Sequence, residues 1–551
     1  MNKIIGGWCQ DMLKLIIENS YTKVEGAQGA MLANIENSMA VMTPGAWYSP
    51  AYKNGYWDGK TRFFDKKNSC FPTGLLPQVL EIVSDGYNDD EFEVIDNRKG
   101  TEFMLDEDKL QSIILENSGK ELRDYQVQSV NDVRFSELRG MQWQRGVLNL
   151  ATNAGKTTIA EAIIQLTYSK LQEKWRPDKG EKAVNPVFMF VTHSKEIAYQ
   201  AKKSIETDLG ITCGLIGDGK WKVESVTIGI VSTLYSRYKN EKPEFIDLSK
   251  RVVAFVGDEI HHSTATSYFE ILAAFNNASM RIGLTGTVEK DAVKKTRLYA
   301  ITGEIITKIS NNYLIKNNYS AKPECYMVPI DYPDVDKIRL YGRKDEFGEL
   351  NYNDQYTKGI VSNMWRNYVI AKICEKEVFE NNGQVLVLVD RLEHGECLEE
   401  CFDYLDSDVR RMFLYGDLTT EVRQDGLNKL VNKEIDVLIA TTILDEGVDV
   451  PNINAMIYAR GGKSIRKLLQ GVGRGLRKKA DGSNLRIYDF IDDTAYVLIK
   501  QSQQRLEILQ KEKFVTKKFV PENQLGITEK EFQQVMKDLD TTYDEKYVNV
   551  E

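Results

Sequence analysis

The residues best equipped for chemistry sit in "NLATNAGKTTIAEAI" (Asn149 to Ile163), where an apolar run ends in a small-residue turn and a helical pattern follows. Such a turn aims backbone N–H groups and the positive end of a helix at an anion, which is how phosphates are cradled. Lys156 would reach the β and γ phosphates and the Thr157 hydroxyl would ligate Mg²⁺, with Asn153, Ala154, Gly155 and Thr158 lining the loop. The strict pattern asks for glycine at position 150, where leucine stands. Asn153 fills a place often given to glycine, and asparagine tolerates left-handed backbone better than most residues. Alone, Gly-Lys-Thr could be an ordinary strand-to-helix turn. The flanking strand and helix favour phosphate.

The second group is "VVAFVGDEIHH" (Val252 to His262), in which two acids leave the end of an apolar run. Buried carboxylates are costly without a cation or partner. Mg²⁺ beside a phosphate loop supplies one: Asp258 would hold the ion through water, and Glu259 would orient and deprotonate the attacking water. His261 completes Asp-Glu-x-His and is assigned to coupling between nucleotide and a second lobe. His262 is read as structural. The third group, "LLQGVGRGLRKK" (Leu468 to Lys479), places Gln470, Arg474 and Arg477 with the arginines on one helix face. Bidentate guanidinium groups suit a phosphoryl group gaining charge. The plainer reading of that segment is a basic surface helix.

These groups need a scaffold. Ten short apolar runs alternate with helix-length segments between about residues 120 and 500, in two series. The first comprises 146–151, 186–193, 226–233, 252–259 and 281–287; the second comprises 384–390, 410–416, 436–442, 454–460 and 485–492. Continuous β-branched runs in this spacing predict buried parallel strands in βα units. The expected class is α/β: two tandem parallel-sheet lobes after a small α+β N-terminal domain, with a short helical tail. The boundaries are 1–115, 116–312, a polar linker at 313–324, 325–500 and a tail at 501–551, where "TEKEF" (Thr528 to Phe532) has capping-box spacing.

Composition sets wider limits. The 551 residues are 42% hydrophobic and 28% charged, as in globular folds, with a formal net charge of −9. That balance argues against bulk electrostatic binding of nucleic acid but leaves local basic grooves open. No apolar run is long enough for a membrane helix. Asp11 and Lys14 interrupt the N-terminal apolar stretch, so a cytoplasmic location is expected. The seven scattered cysteines form no Cys-x-x-Cys pair and read as reduced, buried thiols.

Taken in order, the motifs resemble those of superfamily 2 helicases and translocases of the DExH type, over roughly residues 120 to 495. The resemblance implies two RecA-like lobes binding ATP between them, with Mg²⁺. "LRDYQ" (Leu122 to Gln126) is similar to the adenine-reading element, implying a base contact for Gln126. "VTHSKEIAYQ" and "IVSTLYS" resemble strand-contacting motifs, implicating Thr192, Ser194 and Thr233. "LTGT" resembles the coupling motif, with Thr285 and Thr287. "VLIATTILDEGVDVP" (Val437 to Pro451) resembles the motif in which Asp449 meets the nucleotide and Thr441 or Thr442 the nucleic-acid backbone.

Upstream, "YKNGYWDGKTRFFDKKNSCFPTGLLPQVLEIV" (Tyr52 to Val83) resembles the N-terminal domain of UvsW-type helicases of tailed phages, and "YDFIDD" (Tyr488 to Asp493) suits that family. This implies an ATP-dependent DNA helicase in the host cytoplasm. It would migrate Holliday junctions, regress forks and unwind D-loops or R-loops in recombination, repair and replication. Its implied partners are branched or duplex DNA, single strands or RNA–DNA hybrids, and recombination or single-strand-binding proteins, with no membrane; the oligomeric state is open, a monomer being favoured. An RNA helicase, a restriction- or remodelling-type duplex translocase and a DNA-binding regulator with a degenerate ATPase remain alternatives. Within the opening stretch, Trp57, Phe63 and Phe64 are expected in the core. The basic residues Lys53, Lys60, Arg62, Lys66 and Lys67 are expected to meet phosphates.

Overall fold

The computed structural model describes residues 12–27, 29–86, 92–178, 180–261, 266–288, 291–320, 323–330, 352–441, 453–462, 484–527 and 534. The chain forms two compact units that divide between Ile309 and Ser310. The segment expected as a linker carries a short helix, Asn311–Lys316, capped by the Ser310 hydroxyl.

In the first unit, an eight-stranded sheet runs in the order Lys220–Lys222, Gly214–Gly217, Val226–Ile230, Val187–Thr192, Val252–Gly257, Met280–Thr285, Arg145–Leu150 and Ile305–Ile309. All pairings are parallel except the hairpin of the first two strands. The five strands read from the sequence lie side by side at its centre, and four of them are buried along their whole length. That double-sided burial explains why they appear as unbroken apolar runs. The run at 226–233 ends as a strand at Ile230, and Val231–Lys239 is helix.

The N-terminal part of this unit has a four-stranded sheet ordered Cys70–Pro72, Tyr21–Glu25, Leu13–Ile17 and Phe92–Asp96. A separate hairpin pairs Ala40–Met42 with Lys60–Arg62. Its apolar residues, among them Leu15, Phe71, Leu75 and Val79, join Met189, Phe255, Tyr268 and Leu298 in one continuous core. Polar groups tie the same seam. Arg145 donates to the Asn19, Ile301 and Thr302 carbonyls, and Arg281 donates to Ser20 Oγ and the Phe275 carbonyl. The approach at Gly74 is close enough that a Cβ there would lie 2.0 Å from the Tyr299 carbonyl oxygen.

The second unit has a seven-stranded, all-parallel sheet ordered Arg411–Leu414, Val437–Ala440, Val385–Leu388, Ala455–Tyr458, Arg486–Asp492, Glu324–Ile330 and Val515–Lys518. The segment after residue 500 differs from the expected helical tail. It continues the helix Tyr496–Lys511 and then adds Val515–Lys518 as an edge strand. Four residues with two lysines carry too little apolar pattern to be read as a strand. The tie is the parallel backbone ladder to Glu324–Met327, beside which the Glu324 carboxylate accepts from Lys517 at 2.9 Å. The "TEKEF" segment lies outside the described residues.

Candidate active site

The Arg145–Leu150 strand delivers the chain into the phosphate loop, and the helix Lys156–Tyr168 leaves it. Leu150, at the position where the strict pattern wants glycine, is fully buried and belongs to the sheet. The left-handed residue of the loop is Gly155 (φ 77°); Asn153 does not take that conformation, contrary to the expectation. A Cβ on Gly155 would also lie 2.3 Å from Gln126 Nε2, so that amide would have to give way. Gln126 is buried and donates to the Ala154 carbonyl at 3.0 Å, as does the Tyr125 hydroxyl. The segment Leu122–Gln126 thus braces the loop directly. Thr157 lies in the first helical turn, while the Thr158 hydroxyl accepts from Lys120 Nζ at 2.8 Å.

Opposite the loop, the strand Val252–Gly257 ends at Asp258 and Glu259, both buried. Glu259 has φ 45°, a conformation that costs of order 1–3 kcal/mol outside glycine and is held by its surroundings. Ile260 does much of the holding. A Cβ on Gly257 would lie 2.5 Å from its Cδ1, and one on Gly283 2.8 Å from its Cγ2. Two glycines on adjacent strands therefore form the seat for Ile260. The Tyr268 hydroxyl adds a brace by donating to the Val191 and Asp258 carbonyls, both at 3.1 Å.

Lys156 and Glu259 form an ion pair. The other Glu259 oxygen faces His261 Nδ1 at 3.2 Å, and the same nitrogen is 3.0 Å from Thr285 Oγ1. Thr285 in turn donates to the Thr287 carbonyl at 2.7 Å. Gly286 passes beside the lysine, since a Cβ there would be 3.8 Å from Lys156 Nζ. Burial would raise Glu259, but the Lys156 charge and the His261 contact outweigh it and hold the carboxyl well below the usual range. Asp258 moves the other way. Burial and the neighbouring Glu259 charge raise it against the pull of Lys156.

Asp258 Oδ1 is buried with no hydrogen-bond donor among the described residues. An acceptor-only oxygen left in that state fits a site awaiting a cation. One carboxylate plus the Thr157 hydroxyl matches the way Mg²⁺ is held, with waters and phosphates completing the octahedron.

The remaining expected residues fall into several groups. Thr192 is buried at the end of its strand, and its hydroxyl lacks a hydrogen-bond partner among the described residues. Ser194 caps the helix Lys195–Leu209 through Ile197 N. Thr233 sits in the first turn of Val231–Lys239. Thr441 is buried just past the strand Val437–Ala440. His262, Thr442, Asp449, Gln470, Arg474 and Arg477 lie outside the described residues.

In the N-terminal stretch, Phe64 is in the core and Phe63 packs against it. Trp57 is half-buried and donates its indole N–H to the Lys60 carbonyl at 3.0 Å. Arg62 is paired with Asp58, and Lys66 with Glu36 at 2.6 Å. Lys53, Lys60 and Lys67 have no ion pair among the described residues.

Tyr125, Tyr268 and Ile260 were not legible as site residues. Tyr125 sits inside a motif already singled out. The only sequence signal for Ile260 was the glycine in each of the two strands that seat it.

With this geometry in view, three family models match the chain: the type III restriction enzyme res subunit over residues 119–290, the helicase conserved C-terminal domain over 369–479, and the N-terminal domain of the DNA helicase UvsW over 12–91. The ATP-dependent DNA helicase uvsW of Enterobacteria phage T4 is 23% identical over 455 residues, covering 81% of this chain and 84% of that protein. A DNA 3'-5' translocase of Sulfurisphaera tokodaii is 23% identical, covering 65% and 79%. Among solved structures, a fragment of a type I restriction enzyme HsdR subunit from Vibrio vulnificus aligns over 72% of this chain and 68% of its own, at 19% identity and a TM-score of 0.51. The matches over the two lobes are to superfamily 2 helicases: the chain is an ATP-dependent DNA helicase with two RecA-like lobes. Within them it resembles the UvsW type, whose N-terminal domain it carries.

Proposed function

We propose that this chain is a DNA motor that remodels branched DNA, migrating Holliday junctions, regressing forks and unwinding D-loops or R-loops for phage recombination, repair and replication in the host cytoplasm. The observation that carries the reading is the connected path from Lys156 through Glu259 and His261 to Thr285. It joins the phosphate loop to the coupling segment inside one buried network. The UvsW-type N-terminal match supplies the substrate class. Asp258 and Thr157 would hold Mg²⁺, which neutralises phosphate charge when bound. Glu259 would take the proton of the attacking water once nucleotide draws Lys156 away, and Gln470, Arg474 and Arg477 would offset the charge that develops. Gln126 would exchange the Ala154 carbonyl for the base edge. Thr192, Ser194, Thr233, Thr441 and Thr442 would lie along the nucleic-acid backbone.

The test is ATP-dependent processing of fork, Holliday-junction, R-loop and RNA-duplex substrates side by side, with Lys156→Ala as control. The variant should lose about a hundredfold or more in DNA-stimulated hydrolysis. Preferential opening of plain RNA duplex would overturn the branched-DNA reading. Absence of DNA-stimulated hydrolysis would overturn the motor itself.

A further inference from the structure

An unusual surface lies between the two strands of the N-terminal hairpin. Trp47 is 54% exposed, Tyr48 74% and Tyr56 85%, and Met42 and Tyr52 beside them are also exposed. Among the described residues no other tryptophan is comparably exposed. The group is held in place rather than trailing. Trp47 is the middle residue of the 3-10 turn Ala46–Tyr48, with its ring centroid 5.8 Å from that of Tyr48, and Pro50 opens the helix Pro50–Lys53 soon after it. The Tyr56 amide is tied to the Ala51 carbonyl at 2.9 Å. Gly59 has φ 77°, and a Cβ on it would lie 2.9 Å from the Tyr52 ring and 3.0 Å from the Met42 sulfur, so the hairpin closes against these side chains.

We infer that Trp47, Tyr48 and Tyr56 form a stacking platform for the bases of unpaired single-stranded nucleic acid. Two observations select that occupant. The apolar surface is made of rings: from Thr43 to Lys60 the sequence contains no Leu, Ile or Val, so what it offers is flat π-surface and not a branched aliphatic patch. Every base offers a flat π-face to such rings whatever its identity. The charge is also complementary. Lys53 and Lys60 flank the rings without ion pairs among the described residues, and the one acid of the segment, Asp58, is already taken by Arg62. A phosphate backbone would follow the lysines while its bases lay on the rings. The inference rests on the DNA-motor reading and extends it by separating base contact from phosphate contact.

Fluorescence anisotropy of the full chain without nucleotide tests it, using oligothymidylate, an abasic strand of equal length and a blunt duplex. The double variant Trp47→Ala, Tyr56→Ala should bind oligothymidylate about tenfold more weakly, with unchanged affinity for the abasic strand and the duplex. The Phe pair at the same positions should restore binding, because a phenyl ring still stacks. Equal binding of oligothymidylate by wild type and Ala pair would overturn the platform and leave the rings as a protein-docking face. An equal loss on the abasic strand would overturn it in favour of backbone contact. A wild-type chain that binds oligothymidylate through the rings yet fails to hydrolyse ATP would sink the motor and leave the platform standing.

Discussion

At the scale of single residues, the site is built so that one side chain answers to two neighbours. His261 is fully enclosed and faces both Glu259 and Thr285, so it can report the state of one to the other. His261→Ala is expected to retain most ATP turnover while strand separation per ATP falls about tenfold, a typical coupling loss. Parallel measurement of hydrolysis and unwinding checks this; a proportional fall in both would place His261 in the chemistry instead. Glu161, on the helix that follows the phosphate loop, offers a pH test. It is fully buried, accepts from Ser204 and lies 3.8 Å from Lys120; burial pushes it from 4.5 up to about 7. Below 4.5 both folded and unfolded chains hold this proton. Between 4.5 and 7 only the unfolded chain ionises, so stability falls as pH rises, by about 3 kcal/mol in total. Above that window the loss is constant. Glu161→Gln should remove this slope in denaturant titrations taken across the window and be the more stable form at pH 8.

At the scale of elements, strand ends and helix starts do the positioning. The acidic motif "YDFIDD" is one example. Asp489 and Asp492 on the strand Arg486–Asp492 are buried and hold Arg505 and Arg366, with Arg366 Nε 2.7 Å from Asp492 Oδ1 and Arg505 Nε 3.0 Å from Asp489 Oδ1. Arg505 also donates to the Gly462 carbonyl at 2.9 Å, and Gln501 accepts from the Gly462 amide at 3.1 Å. The helix Tyr496–Lys511 therefore pins the chain at the entrance to the segment that bears Gln470, Arg474 and Arg477. Breaking a buried pair strands the remaining charge, so Asp489→Asn should cost about 3 kcal/mol in chemical denaturation. A change below about 0.5 kcal/mol would mean that Asp492 takes over the guanidinium. The motif served as a family signature in the sequence, and the fold uses it as a brace.

At the scale of the whole molecule, the N-terminal domain and the first parallel sheet are one cooperative body. The shared core, the carbonyls gathered by Arg145 and Arg281, and the close approach at Gly74 leave no plane along which they could part cheaply. Hydrogen exchange should therefore show the amides of Leu13–Ile17 and Arg145–Leu150 opening with one free energy. A much lower protection of Leu13–Ile17 would show an independently opening domain. The consequence for function is mechanical: anything gripped by the N-terminal hairpin moves with the nucleotide-binding lobe.

The sequence by itself determined the ten strands read from it and nominated the catalytic candidates. A phosphate loop needs a lysine at a strand-to-helix turn, water activation needs acids at a strand end, and buried parallel strands must be apolar on both faces. These requirements act within a few neighbouring residues, so they leave a pattern along the chain. Only the tertiary structure decided what depends on distant segments meeting. Ile260 is seated by glycines on two strands, and Tyr125 reaches the loop from another element. The strand Val515–Lys518 pairs with Glu324–Met327 from far along the chain, and Arg145 seals a domain seam against distant carbonyls. It also divided the aromatics of the N-terminal stretch, sending Phe64 inward because the core lies on that side and leaving Tyr56 facing water. No local rule distinguishes those two rings, since burial belongs to the packed surface and not to the residue type.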